Sequence, residues 1–249
     1  MPHPQGTPRR DRRGLEGVAC DHCSARAGCL AGGLEADDRA ALDAIAERGR
    51  PLNRGETAYA QGDPFRALYL VRSGFLKTFS RHGGEEPRIH EFYVPGDLVG
   101  LDAITAGRHE ESAEALDTTS LCALPYPALC RLAGSRPEVR RALLRAMSQG
   151  LRRGETWHRL LGTRSAVRRL AGFLEDLGSR FPRAGPACDH AALPIPKQDL
   201  ANYLGLAPET VSRGLARLER HGMVRLTKRS LRIHNFDALR RLVRVGGQV

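Results

Sequence analysis

The stretch PKQDLANYLGLAPETVSRGLARLERHGMV, residues 196–224, contains two short helical patterns separated by a glycine turn. The first pattern predicts a helix over Lys197–Leu204 that Gly205 ends. The second predicts a helix that begins at Pro208, a residue favoured in the first turn of helices. This second helix has an apolar stripe on one side and a polar face on the other. The stripe consists of Val211, Leu215 and Leu218, and the polar face of Glu209, Ser212, Arg213, Ala216 and Arg220.

Two helices joined in this way form a helix-turn-helix, whose second helix lies in the major groove of DNA. Arg213 can bond a guanine bidentately, Glu209 can accept from a cytosine amino group, and Ser212 can bond a base or a phosphate. A solvated helix face commonly carries the same residue types, so the polar face alone is not specific. The small Ala201, the turn glycine and the apolar stripe in register favour the DNA-reading interpretation.

The flanks of this stretch agree with a DNA-binding domain over residues 164–249. The segment VRLTKRSLRIHN after the second helix predicts a two-stranded wing, with Lys228 and Arg229 at a turn suited to phosphate contact. The formal net charge of +11 suits a polyanionic partner. Upstream, Ser165 is a plausible cap for a helix over SAVRRLAGFLEDLGSRF. Ala207 stands where a Ser or Thr cap is expected, so the second helix begins less firmly than usual.

A long helix is predicted after Pro137. Some of its residues follow the three-four spacing of a coiled-coil seam, which indicates a dimerisation helix over residues 136–163. The seam positions are Leu144, Met147, Leu151, Gly154, His158 and Leu161. An amphipathic helix packed on its own domain is the alternative interpretation. Gly150 and Gly154 each cost about 1 kcal/mol of helix stability relative to alanine. Gly154 and His158 also add little or no apolar surface to the seam, which predicts a marginal, reversible dimer.

Between Leu52 and Pro125 the chain changes to short alternating runs separated by Gly, Pro and Asp. The runs are ETAYA, ALYLVRSG, FLKTFSRHGGEE, RIHEFYVPGDLVG and SLCALP. Strands of this length and spacing favour an antiparallel jelly roll, here a sensor domain over residues 31–135 of an α+β protein. Before them, DDRAALDAIAERG predicts a short helix with apolar residues at Leu42 and Ile45 and with Gly49 as its end.

Residues 1–30 form an N-terminal segment whose first 17 residues are rich in Pro, Gly and Arg, which predicts disorder. The chain has no signal-peptide pattern and no run of ~18 apolar residues, so we expect a cytoplasmic protein with no membrane partner. In a reducing compartment, the three thiols of CDHCSARAGC (20–29) favour metal binding or redox chemistry over disulfides. Their spacing leaves iron and zinc open. We expect Cys130 to be a buried small hydrophobe and assign Cys188 no role.

A jelly roll, a long helix and a winged helix-turn-helix, in this order, resemble the cyclic-AMP receptor superfamily of bacterial regulators. The chain is most similar to the fumarate-nitrate reduction regulator (FNR) branch, from about Cys20 onward. The motifs are CDHCSARAGC, LYLVRSGFLKTF, PGDLVGLDAI, TTSLCALP and NYLGLAPETVSRGLARL. The resemblance implies that Cys20, Cys23, Cys29 and Cys122 ligate an oxygen-labile 4Fe-4S cluster. Four thiolates are the usual ligands of such clusters, although zinc accepts them equally well.

The same resemblance implies a homodimer that binds a palindrome similar to TTGAT-N4-ATCAA while the cluster is intact. Glu209, Ser212 and Arg213 match the family residues that read this half-site. The loop RHGGEE (81–86) matches a region that contacts RNA polymerase in activators. Gly154 stands where FNR has an aspartate that keeps the apo-protein apart, so we expect more apo-dimer here than in the family type.

Cyclic nucleotide is not expected as a ligand, although nucleotide receptors share the barrel. Receptors carry Arg-Ser-Ala or Arg-Thr-Ala against the phosphate, whereas Arg108 is followed here by His109, Glu110 and Glu111. Two carboxylates at this point repel a phosphate. The histidines His82, His90, His109 and His158 offer no compelling axial site for haem.

Three other functions stay open at this point. A zinc-binding or a constitutive regulator of the same superfamily agrees with the same architecture, and an iron-sulfur electron carrier agrees with the thiols. The chain shows no nucleophile-base pairing, phosphate loop or HExxH motif, so we do not expect an enzyme.

Overall fold

The computed structural model describes residues 19–84, 86–163, 165–181, 192–227 and 231–245. The predictions for residues 1–17, for Cys188, and for Lys228 and Arg229 lie outside the described residues.

The described chain begins with a segment of three 3-10 turns over residues 19–35, called here the cysteine leader. The turns span Cys20–His22, Arg26–Gly28 and Leu30–Gly33, and helix α1 follows over Ala36–Ile45. The prediction that this helix runs to Gly49 was wrong. It ends at Ile45 because the next residues, Glu47–Arg48, are extended and pair with a strand of the barrel.

Residues from β1 to β8 form two four-stranded antiparallel sheets, ordered β1-β8-β3-β6 and β2-β7-β4-β5. The strands are β1 Glu47–Arg48, β2 Thr57–Tyr59, β3 Ala67–Ser73, β4 Leu76–Ser80, β5 Arg88–Tyr93, β6 Leu98–Val99, β7 Ser112–Ala115 and β8 Ser120–Pro125, with helix α2, Ala103–Ala106, between β6 and β7. This arrangement confirms the predicted antiparallel barrel and the α+β class. Strands β1 and β7 were not predicted.

Three helices follow the barrel in the sequence. Helix α3 spans Tyr126–Ser135, α4 spans Pro137–Leu161 and α5 spans Ala166–Arg180. The predicted Ser165 cap is confirmed, since its hydroxyl accepts a hydrogen bond from the Arg168 amide at 3.3 Å. No helix in the described ranges is long and apolar enough to cross a lipid bilayer.

The C-terminal unit contains α6 Lys197–Leu204, α7 Pro208–Arg220 and α8 Phe236–Val245. Helix α6 spans the predicted residues and α7 begins at Pro208 as predicted, with Gly205 at φ +60° in the turn. The wing differs from the prediction because it has three strands. Strands β10 Val224–Leu226 and β11 Leu231–Ile233 form the hairpin, and β9 Ala192–Leu193 pairs with the outer side of β11.

Helix α6 lies directly against strand β5 of the barrel. The Asn202 side chain accepts from the Ile89 amide and donates to the Pro87 carbonyl, both at 2.9 Å. Lys77 on β4 contacts the Asp199 carboxylate at 2.7 Å. A continuous apolar core with Phe92 at its centre joins barrel strands to the C-terminal helices. The two units are therefore held together by packing and by polar contacts.

Candidate metal centre and nucleic-acid interface

The four cysteines singled out in the sequence line one cavity. The leader contributes Cys20, Cys23 and Cys29, which are half-buried, and β8 contributes the buried Cys122. Cys122 sits in the middle of its sheet, where it pairs with Arg48 of β1 and Leu70 of β3. The fold therefore places the thiol of Cys122 at the same cavity as three thiols that lie about a hundred residues earlier in the sequence. Apolar side chains complete much of the lining: Ala25, Ala31, Leu42, Ala46, Leu70, Val71 and Leu124.

Apolar packing holds the cysteine leader on the barrel. Leu30, Ala31 and Leu34 are buried in the core cluster that also contains Leu124 of β8 and Val139 of α4. The leader is thus in contact with the first turn of the long helix as well as with the barrel. Burial of side chains of this size contributes on the order of 1.5–3 kcal/mol for each leucine.

An ion pair that the sequence analysis missed lies beside Cys20. The Cys20 amide donates to the Asp43 carboxylate at 3.0 Å, and Asp43 is paired with Arg48. The Arg48 guanidinium also lies 3.7 Å from the Cys20 sulfur. Asp43 and Arg48 therefore fix the first cysteine relative to α1 and β1, as outer groups commonly do around metal ligands.

Burial raises the pKa of three of the thiols, those of Cys20, Cys29 and Cys122. Burial and the neighbouring Asp43 raise the pKa of Cys20 to about 12, and burial raises the pKa of Cys29 to about 11. Burial also raises the pKa of Cys122, against the opposing effect of Arg48. These thiols hold their protons near neutral pH, so a metal that binds here must displace them.

The thiols suit a metal centre by their chemistry and not by their present arrangement. Within the described ranges, no three or more His, Cys, Asp and Glu side chains form a group that could hold a metal ion. Four thiolates are ligands of zinc and of iron-sulfur clusters alike. Four thiols spread around one partly apolar cavity are the type of ligand set that cubane iron-sulfur clusters use.

Cys130 is exposed, so the expectation that it is buried was wrong. Helix α3 turns Leu129 and Ala133 inward, and Cys130, the residue after Leu129, lies on its outer side. Cys130 is not among the residues that line the thiol cavity.

Arg108 and His109, compared above with the phosphate-binding tripeptide of nucleotide receptors, contact the protein's own groups. Arg108 donates to the Gly62 carbonyl at 3.0 Å. His109 is buried, with its ring stacked on Tyr59 at 3.6 Å between centroids and with Phe65 packed edge-on at 5.8 Å. The arginine is thus engaged with backbone, and two stacked rings occupy the adjoining interior.

Helix α7 buries its predicted apolar stripe and leaves the predicted polar face accessible. Val211, Leu215 and Leu218 are buried. Gly214, which was not singled out in the sequence, lets α7 approach α5, since a Cβ there would lie 3.1 Å from the Leu170 side chain.

The candidate reading residues project from the accessible face. Glu209 and Arg213 are exposed, and Ser212 is half-buried. Within the described part of the chain, none of the three side chains forms a hydrogen bond or ion pair, so all are free to contact DNA.

The predicted seam residues of α4 are largely uncovered. Leu144 and Leu151 are 57% and 73% exposed, and a Cβ at Gly154 would meet nothing within 4 Å. His158 is exposed and bonds the Gly154 carbonyl through Nδ1 at 2.8 Å. Met147 and Leu161 are half-buried. Leu144 and Leu151 thus do not pack on the chain's own barrel, which the alternative interpretation of this helix required.

Comparison with known proteins matches both halves of the chain. Residues 50–135 match the cyclic nucleotide-binding domain family, and residues 168–242 match the Crp-like helix-turn-helix domain family. The transcriptional activator protein anr of Pseudomonas aeruginosa is 38% identical over 95% of this chain and 96% of its own length. The fumarate and nitrate reduction regulatory protein of Escherichia coli is 35% identical over 94% of both. Among solved structures, FixK2 from Bradyrhizobium japonicum has a TM-score of 0.68 and 30% identity, and covers 80% of this chain and 97% of its own.

Proposed function

Because the chain belongs to the FNR branch of the cyclic-AMP receptor superfamily of transcription regulators, we propose that it is an oxygen-responsive activator. In this proposal it binds palindromic DNA as a homodimer while a 4Fe-4S cluster is intact. One observation carries the proposal: three leader cysteines and Cys122 of the barrel line a single cavity.

Cys20, Cys23, Cys29 and Cys122 would hold the cluster, and the cluster would supply reactivity toward oxygen. The protein's own residues connect the leader to the long helix. Leu30 and Leu34 share a core with Val139 in the first turn of α4. Asp38 of α1 contacts Arg136, the residue before α4, at 2.8 Å. A leader held in place therefore supports the start of the proposed dimerisation helix.

The exposed stripe of α4 supports the dimer in this proposal. Leu144 and Leu151 are the two large apolar side chains that stand out as exposed among the described residues. Pairing of this stripe with its copy places two α7 helices about one DNA turn apart, as a palindrome requires. A ligand-dependent shift of the monomer-dimer equilibrium from 1:99 to 99:1 takes about 5.5 kcal/mol. Burial of Leu30 and Leu34 of the leader contributes on the order of 1.5–3 kcal/mol for each leucine. Loss of this packing would therefore supply a large share of the ~5.5 kcal/mol.

Glu209, Ser212 and Arg213 would read a half-site similar to that of TTGAT-N4-ATCAA, and Lys228 and Arg229 would contact phosphates. The loop at 81–86 is the proposed contact with RNA polymerase. We place the protein in the cytoplasm, with no membrane partner. Cyclic nucleotide is not part of the proposal, since Arg108 bonds backbone and His109 and Tyr59 fill the adjacent space.

The test begins with protein purified without air. We expect visible absorption of an iron-sulfur cluster, bound iron and sulfide, and a gel shift with the palindrome that weakens after exposure to air. A colourless, zinc-containing protein that binds DNA equally with and without air would instead indicate a zinc-dependent or constitutive regulator. A cluster-containing protein that binds no palindrome would indicate an electron carrier.

A further inference from the structure

We infer that Asp97 is the positioning residue through which the cysteine leader acts on helices α4 and α5; this inference rests on the proposed function. The turn Pro95–Gly96–Asp97 joins β5 to β6. The leader contacts one side of this turn, and arginines from the two helices contact Asp97 on the other.

On the leader side, the contact is between two backbones. Gly28 immediately precedes the ligand candidate Cys29, and Gly96 faces it with φ +102°. A Cβ at Gly96 would lie 2.8 Å from the Gly28 carbonyl carbon, which is too close for any side chain. A Cβ at Gly28 would itself lie 3.6 Å from the Pro95 oxygen and 3.9 Å from the Arg180 oxygen. Gly28 therefore packs closely against the turn and against the last residue of α5.

Strand β3 provides a second connection between the cavity and the turn. The Gly96 amide donates to the Val71 carbonyl at 2.8 Å, and the Val71 amide donates to the Asp97 carbonyl at 3.1 Å. Val71 lines the thiol cavity. The turn is thus tied to the cavity wall by a pair of backbone hydrogen bonds.

On the helix side, the Asp97 side chain is 8% exposed and is shared by two arginines. One carboxylate oxygen, Oδ2, accepts from the Val94 amide and from Nη1 of Arg180, both at 2.9 Å. The other oxygen, Oδ1, lies 3.7 Å from Nη1 of Arg153. Arg153 adjoins the seam position Gly154 on α4, and Arg180 is the last residue of α5.

Burial makes this arrangement sensitive to displacement. Water does not readily replace a partner around a buried charge, so separation of such a pair is costly. A shift of the Pro95–Asp97 turn would weaken the contacts of Asp97 with Arg153 and Arg180 together. The Pro95–Asp97 turn consequently connects the leader, through its backbone at Gly96, to α4 and α5, through the Asp97 carboxylate.

The test uses Arg153→Gln, which removes the α4 contact and leaves the Arg180 pair in place. Arg152→Gln, at the exposed neighbouring position, is the matched control. For each protein, operator Kd and the dimer fraction in sedimentation are measured with the cluster loaded anaerobically and after its removal, together with iron and sulfide content. The coupling is the ratio of the two Kd values.

We expect Arg153→Gln to bind as much iron and sulfide as the wild type but to lower the coupling at least about fivefold, a change within the usual range of allosteric coupling. Its dimer fraction should respond less to cluster removal. Arg152→Gln should keep the wild-type coupling, and Arg153→Lys should restore part of it. Wild-type coupling in Arg153→Gln would overturn the role of Asp97. If the wild-type protein binds the operator with the same Kd with and without the cluster, the proposed function is wrong and this inference is wrong with it.

Discussion

Replacing Gly154 by alanine should strengthen the dimer, and the structure allows the size of the effect to be calculated. A Cβ at Gly154 meets nothing within 4 Å in the single chain, so the methyl is accommodated without strain. If α4 pairs through its exposed stripe, each copy buries one added methyl, worth about 0.8 kcal/mol. Two copies contribute ~1.6 kcal/mol, which lowers the dimer Kd about 15-fold.

Gly150→Ala is the matched control, because it makes the same chemical change one turn earlier, at a position that is not one of the predicted seam residues and that faces the chain's own Leu101. Its Cβ would lie 3.8 Å from the Arg153 side chain and 3.9 Å from Leu101, both ordinary contacts. Both variants gain about 1 kcal/mol of helix propensity. That gain is present in monomer and dimer alike, so it raises thermal stability in both variants without changing the dimer Kd.

The assay is sedimentation velocity of the apo-protein across a concentration series, with thermal unfolding of the same samples. We expect similar increases in unfolding temperature for both variants and a lower dimer Kd for Gly154→Ala alone. Equal dimer Kd values in the two variants would show that α4 does not pair through the stripe that contains Gly154. A weaker dimer in Gly154→Ala would also refute the calculation, because it would show that the helices meet by close backbone contact at this glycine.

Two further predictions concern the thiols and the reading helix. Cys122→Ser should lose most of the bound iron and sulfide under anaerobic purification, whereas Cys130→Ser, on the exposed side of α3, should retain both; equal retention would exclude Cys122 as a ligand. Arg213→Ala should weaken operator binding by about 1–3 kcal/mol and relax base preference at one position, while Arg220→Ala should weaken binding to all sequences alike. A gel-shift comparison of matched and single-mismatch operators separates these two effects, and unchanged preference in Arg213→Ala would contradict a base contact.

The bounds of α6 and the start of α7 could be predicted to the residue because local signals mark the turn between them. Gly205 supplies the left-handed turn and Pro208 supplies the first helical residue. The barrel was predictable as a class, but β1 and β7 were not. Glu47–Arg48 is a two-residue charged strand without alternation, and Ser112–Ala115 lacks large apolar residues. Both exist because neighbouring strands pair with them, which a local pattern does not show.

The surroundings of the cysteines were less predictable than the cysteines themselves. Clustered thiols are conspicuous in a sequence, whereas Asp43 and Arg48 are ordinary surface residue types until the fold places them beside Cys20. The pair of Asp97 and Arg180 joins residues 83 positions apart. Ion pairs of this kind form only when the fold brings distant elements together, so the local sequence pattern does not predict them.

The docking of α6 on β5 has a consequence for the architecture of target promoters. Asn202 bonds backbone groups at Ile89 and Pro87, so the unit that touches DNA is attached to the barrel and does not swing on a tether. In a symmetric dimer, the barrels and α4 then fix the distance between the two helices that enter the major groove. Operators with one base pair added or removed between their arms should therefore be bound poorly, even when every base in both arms is correct.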